Sequence, residues 1–193
     1  MPGQPPVTAS LLCRAENSCL VVIDVQARLT AAMPAKVLSR LKRNSIMLIK
    51  AAGILSIPVF ATEQYPKGLG SLDPDIIEVL PENSRRFEKT CFSCVNAENF
   101  IDELNNHGRK QVILLGLEAH ICVLQTAIDL LAAGYNVFVV IDAVCSRQRE
   151  NYEAALQRMW QSGVIICNAE SVLFEWLKDS SHEHFKILSA MVG

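Results

Sequence analysis

The sequence contains no apolar run approaching the ~20 residues that span a bilayer; its longest, "AAGILSIPVFA" and "VFVVIDAV", stop well short. It also lacks any long block of like charge, and its formal net charge is only −2. There is therefore no basic footprint of the kind that binds nucleic acid or an anionic membrane. The first dozen residues, "MPGQPPVTASLL", hold three prolines and no Lys or Arg, which removes both the charged start and the apolar segment of a secretory signal. A cytoplasmic protein is expected. No even cysteine framework is present either. The seven cysteines, an odd number scattered over strands and loops, suit reduced thiols packed as small hydrophobes.

What the chain does have is apolar content. Half of its 193 residues are hydrophobic, enough to bury a substantial core in one domain over 1–193, with an arm at 1–17 and a tail at 179–193. "CLVVID" (19–24) is a continuous apolar run ending in an acid, the signature of a strand buried on both faces. Pro34 opens a long amphipathic helix that closes at Gly53. "IPVFAT" (57–62) reads as the second strand, followed by a Gly/Pro-rich loop, a helical turn near 74–80 and an extended piece at "RRFEKT". A helix over 96–108 and a buried strand at 111–116 follow. The alternation then continues with helix 119–133, strand 137–141, helix 149–162, strand 164–167 and helix 170–178.

Such strand–helix repetition implies an α/β fold, a mostly parallel Rossmann-like sheet between two helical layers. The common order 3-2-1-4-5-6 puts strand one beside strand four and opens a crevice at their carboxyl ends. Asp24 ends the first of these strands and Cys122 follows the fourth, so both should flank that crevice. A thiol entering the first turn of a helix meets the positive end of the helix dipole, which favours thiolate. His120 lies two residues from Cys122 and cannot face it on a helix; Asp24 is the better acceptor for the thiol proton. Lys89, in the extended third segment, is the candidate cation. Glu63, Gln64 and Tyr65, from the loop after strand two, are candidate pocket residues, with Tyr65 offering a ring or a phenol. Gln26 is either a substrate-orienting or a structural amide. On position alone each of these residues has an ordinary structural reading: core thiol, cap, solvated lysine. "CFSC" (91–94) lacks a second pair, so two ordinary thiols are expected, and "HEH" (182–184) falls in a solvated tail.

The segments "CLVVIDVQ", "FEKTCFSC" and "GLEAHICVLQTAIDLLAAGYNVFVVIDAVCSR" closely resemble the isochorismatase-like cysteine hydrolase family over about residues 18–178. The resemblance implies a catalytic triad of Asp24, Lys89 and Cys122. It also implies a non-proline cis peptide at Leu117–Glu118 that aims the backbone N–H groups of Glu118 and Cys122 at an oxyanion. Ala119 stands where members commonly carry Thr. "ATEQYPKGLG" and "NYEAALQRM" look most like the metal-free branch, and Tyr65 takes the place of the first metal-binding His of the nicotinamidase branch. The implied protein is a homo-oligomeric small-molecule hydrolase with no metal or cofactor. It would cleave an amide or related C–N bond through a covalent cysteine intermediate. Vinyl-ether hydrolysis of the isochorismatase type, or a silent binding protein on the same fold, are the alternatives.

Overall fold

The apolar runs form the centre of a parallel sheet. In the computed structural model, which describes residues 11–192, β1 (Ser18–Ile23) is buried along its whole length. With β2 (Val59–Gln64), β3 (Arg85–Lys89), β4 (Gln111–Leu117), β5 (Asn136–Cys145) and β6 (Ile165–Cys167) it builds one six-stranded sheet. The order is β3-β2-β1-β4-β5-β6, as the sequence predicts, and every pairing is parallel.

Alternate residues of β1 feed two cores, as the pleat requires. Leu20 and Val22 join one face, packed by Leu41 and Leu48 of α2 (Ala35–Ile54) and by Val172 and Trp176 of α8 (Ala169–Leu177). Cys19, Val21 and Ile23 join the other. That face is covered by α5 (Phe100–Asn106), α6 (Leu124–Ala132) and α7 (Arg149–Gln161). Short helices α1 (Ala27–Thr30), α3 (Pro66–Leu69) and α4 (Pro74–Val79) lie in the crossovers after β1 and β2. Among the described residues no helix is long and apolar enough to cross a membrane.

Several boundaries differ from the sequence reading. Helix α2 runs through Gly53 to Ile54, and the left-handed residue after it is Ser56 (φ 54). Gly53 is instead a packing glycine, since a Cβ there would sit 3.3 Å from Pro81 Cγ. Strand β2 begins two residues later than expected because its register against β1 and β3 pairs Thr62 with Ile23 and Gln64 with Lys89. Glu63 and Gln64 are thus strand residues. Left-handed Asn99 (φ 61) divides the expected 96–108 helix into a 3-10 turn at Cys94–Asn96 and α5. Strand β5 runs on to Cys145, its register against β4 shifting between Leu114 and Gly116. The tail is not simply solvated: α9 (Phe185–Ser189) buries Leu188 completely and sets Phe185 against Phe174. Residues 1–10 of the expected arm lie outside the described residues; Cys13 is buried and its N–H donates to the Glu175 carboxylate at 2.7 Å.

One glycine controls how closely β4 approaches β1. Gly116 has φ 129, and a Cβ on it would lie 2.0 Å from the carbonyl oxygen of Ile23, the residue before Asp24. Gly116→Ala is expected to cost at least about 3 kcal/mol in urea unfolding, from backbone overlap plus the strained φ. Gly134→Ala, where φ is 84 and no atom lies within 4 Å, should cost only about 1 kcal/mol. Burial also pushes the thiols of Cys19 and Cys145 up to about 12. They stay protonated in the fold while the unfolded chain loses their protons from about pH 8.5. Unfolding therefore releases protons, and stability present below that pH is lost as pH rises. The expected slope is about −1.4 kcal/mol per pH unit for each such thiol, measurable as a falling urea midpoint under reducing conditions.

Candidate active site

The chain turns sharply as it leaves β1. Asp24 adopts a left-handed backbone (φ 52) and its N–H donates to the Thr62 carbonyl on β2 at 3.1 Å. Its carboxylate is wholly buried. Oδ1 accepts from the Thr62 hydroxyl and Oδ2 from the Lys89 ammonium, each at 2.7 Å. Lys89 ends β3, two strands away, and its side chain is fully shielded from solvent. Besides Asp24, its Nζ reaches Gln64 Oε1 at 2.7 Å, the carbonyls of Phe92 at 3.1 Å and Cys91 at 3.4 Å, and Cys122 Sγ at 3.7 Å. The structure thus brings Asp24, Lys89 and Cys122 into one contact cluster at the carboxyl edge of the sheet.

Cys122 arrives from the other side of the topological switch. After β4, Glu118 turns left-handed (φ 56, ψ 66), and a π turn over Ala119–Val123 precedes α6. Among the described residues no peptide bond is cis. Leu117–Glu118 is therefore trans, contrary to the expectation, and the left-handed dihedrals of Glu118 themselves reverse the chain. The turn seats the Cys122 thiol at 4% exposure.

The electrostatics of the thiol are a contest. Burial pushes the Cys122 thiol well above its ordinary range, the nearby Asp24 carboxylate adds to this, and Lys89 pulls the other way. The helix-end effect expected to favour thiolate is outweighed, and the resting thiol keeps its proton against the carboxylate. For Lys89, burial works against the charge, but the adjoining Asp24 carboxylate raises the ammonium above its usual value. The cluster at rest is thiol, carboxylate and ammonium.

The remaining expected residues divide. Gln64 holds Lys89 and, through Nε2, the Thr90 carbonyl at 2.8 Å. Tyr65 is 54% exposed at the rim, with its N–H on the Lys89 carbonyl at 2.8 Å. Gln26 is fully buried, and its amide is occupied by the backbone of Gln64 (2.7 and 3.0 Å) and Gly70 (2.6 Å). Glu63 accepts the Leu72 N–H at 2.7 Å. These two side chains hold the loop after β2. His120 faces Ser146, at 2.9 Å, on the side away from the thiol's charged partners.

Sequence reasoning passed over Thr62 and read Cys94 only as an ordinary thiol. Thr62 orients Asp24 and accepts a weak contact from Cys94 Sγ at 3.7 Å, while the Cys94 N–H is fixed by Thr126 Oγ1 at 2.9 Å. Burial and then Asp24 push the Cys94 thiol up to about 11. The available signal was register: a threonine level with Ile23 on the neighbouring strand must stand beside whatever follows β1.

The isochorismatase domain family matches residues 18–171. The chain is 35% identical over 174 residues to isochorismatase family protein 1B of Dictyostelium discoideum, covering 89% of this chain and 84% of that one. It is 35% identical over 178 residues to isochorismatase domain-containing protein 2A of Mus musculus, covering 92% and 83%. Among solved structures, a MAR1 ribonuclease from Caenorhabditis elegans superposes with TM-score 0.88 at 40% identity, covering 94% of this chain and 92% of that one. With its sheet order and its match from β1 into α8, the chain belongs to the isochorismatase family and has the α/β fold of that family's hydrolases.

Proposed function

We propose that the protein is a cysteine hydrolase of a small molecule, cleaving an amide or related C–N bond. The observation that carries this reading is the buried contact of a thiol, a carboxylate and an ammonium on three separate strand ends. Asp24 takes the proton of Cys122 as Sγ attacks the substrate carbonyl carbon. Backbone N–H groups of Glu118 and Cys122 receive the oxyanion. Collapse breaks the C–N bond, and the proton held by Asp24 leaves with the amine. Water, deprotonated by Asp24, then attacks the thioester; the acid departs and the proton returns to sulfur. Throughout, Lys89 balances whichever of Asp24 and Cys122 is anionic. No step requires a metal or cofactor. Gln64, which holds Lys89, and Tyr65, which supplies an exposed ring, are the proposed substrate-side residues.

The burial of the reacting groups favours a small substrate that enters the crevice over a polymer read on the surface, and the net charge of −2 offers no attraction to a phosphate backbone. Because one relative is called a ribonuclease, the assay panel includes single-stranded RNA beside amides, carbamates and vinyl ethers. We also propose self-association in the cytoplasm through the exposed Trp160, Phe174 and Ile187 of the outer helices; light scattering that returns a monomer mass would refute it.

Cys122→Ala is expected to lower turnover of the best amide by at least about 10³-fold, and wild-type enzyme quenched during turnover should carry an acyl adduct on Cys122 by peptide mapping. Turnover retained without the thiol would overturn the covalent reading in favour of acid catalysis by Asp24 on a vinyl ether. Thr62→Val, which removes the hydroxyl from Asp24 Oδ1, should reduce kcat about tenfold with little change in KM.

A further inference from the structure

A second charged cluster stands at the ends of β4 and β5, on the other side of β4 from the strand ends that carry Asp24 and Lys89. Its centre is the Glu118 carboxylate, 7% exposed, on the residue whose left-handed backbone starts the Cys122 turn. Oε1 forms an ion pair with Arg147 Nε at 2.7 Å. Oε2 lies 3.3 Å from His120 Nδ1 but without hydrogen-bond geometry, and among the described residues it has no hydrogen-bond partner. His120 Nδ1 is 2.9 Å from Ser146 Oγ, and Nε2 is 3.5 Å from the Asn151 amide at the start of α7. Four elements therefore meet here: the end of β4, the π turn, the end of β5 and α7.

Two features of Glu118 need explaining together. A left-handed backbone at a residue with a long side chain is unfavourable and persists where its surroundings over-determine it. A buried carboxylate is likewise unfavourable without a cationic partner. Arg147 answers both, because its ion pair with Oε1 ties the residue that starts the turn to the segment that follows β5, outside the turn's own hydrogen bonds. From this geometry we infer that Glu118, through Arg147 and with His120 closing its far side, is a positioning residue for Cys122: the clamp fixes the turn that seats the thiol. Neither Arg147 nor His120 touches the sulfur, and neither is assigned a proton-transfer step. The inference deepens the hydrolase reading and rests on Cys122 being its nucleophile, but the clamp itself can be tested without any substrate.

The test uses the full chain and iodoacetamide as probe, following carbamidomethylation of Cys122 by peptide mapping, with amide hydrogen exchange over residues 118–124 measured in parallel. Arg147 is half exposed, with 52% of its side chain accessible, so Arg147→Ala should fold. In that variant the turn loosens: the labelling rate of Cys122 is expected to rise at least fivefold and exchange over 118–124 to quicken, while exchange in β1 and β4 stays as in wild type. Arg147→Lys, which keeps a cation within reach of Glu118, should return labelling to within twofold of wild type. Glu118→Gln, which keeps the length of the side chain but not the charge paired with Arg147, should fall between wild type and Arg147→Ala. Labelling and local exchange at wild-type levels in Arg147→Ala overturn the clamp, whatever the melting temperature. A rise that Arg147→Lys does not reverse also overturns it, by making Arg147 a packing residue. Loss of the hydrolase reading would instead show as turnover that survives Cys122→Ala, an outcome the labelling experiment does not depend on.

Discussion

The contact between Lys89 Nζ and Asp24 Oδ2, 2.7 Å long and shut off from solvent, is the constraint on which the rest depends. Burying two unit charges costs several kcal/mol per ion, and their attraction offsets that cost only when the other donors and acceptors are also satisfied. Here the satisfaction is spread over the chain: Thr62 takes the second carboxylate oxygen, while Gln64 and the Phe92 and Cys91 carbonyls surround the ammonium. The pair joins residues 65 positions apart. It can form only if β1, β2 and β3 keep a register that levels Ile23 with Thr62 and Gln64 with Lys89. A slip of one residue would turn each of these side chains to the opposite face.

Cys122 is brought to this pair by separate means. Gly116 lets β4 close on β1 at Ile23, Glu118 reverses the chain, and the π turn drops Cys122 onto the ion pair. The thiol is then exposed to opposing influences of comparable kind. Burial and the Asp24 charge hold its proton on, and Lys89 favours its loss. A resting neutral thiol limits oxidation by keeping thiolate scarce.

The sequence made some of this readable and hid the rest for identifiable reasons. Strands β1 and β4 stand out because burial on both faces forces continuous apolar runs, and the strand–helix alternation carries the sheet order through the handedness of crossovers. That order alone set Asp24 opposite Cys122. Boundaries failed where partners far along the chain decide them. Gly53 looks like a helix stop but makes room for Pro81, the end of β5 is drawn out by a register shift beside Gly116, and the apolar face of α9 shows only once α8 offers it a surface. Within the site, residue types were visible but side-chain direction was not. Gln26 and Glu63 spend their polar atoms on loop backbone, whereas Thr62 reaches the acid. The Glu118 carboxylate likewise has a role separate from its backbone.

Two charged clusters are thus anchored on different strand ends, one on β1 and β3 and touching Cys122 through Lys89, the other on β4 and β5. Neither depends on the large side chains at the rim. Phe92 and Tyr65 are 52% and 54% exposed, and both contribute to the Lys89 surroundings through the backbone, Phe92 by its carbonyl and Tyr65 by its N–H to the Lys89 carbonyl. Their rings are therefore free to change without disturbing the buried charges. The solvent-facing rings and the buried polar atoms thus occupy separate parts of these segments. A fold arranged in this way can be fitted to new small molecules by altering its rim while the register beneath it stays fixed.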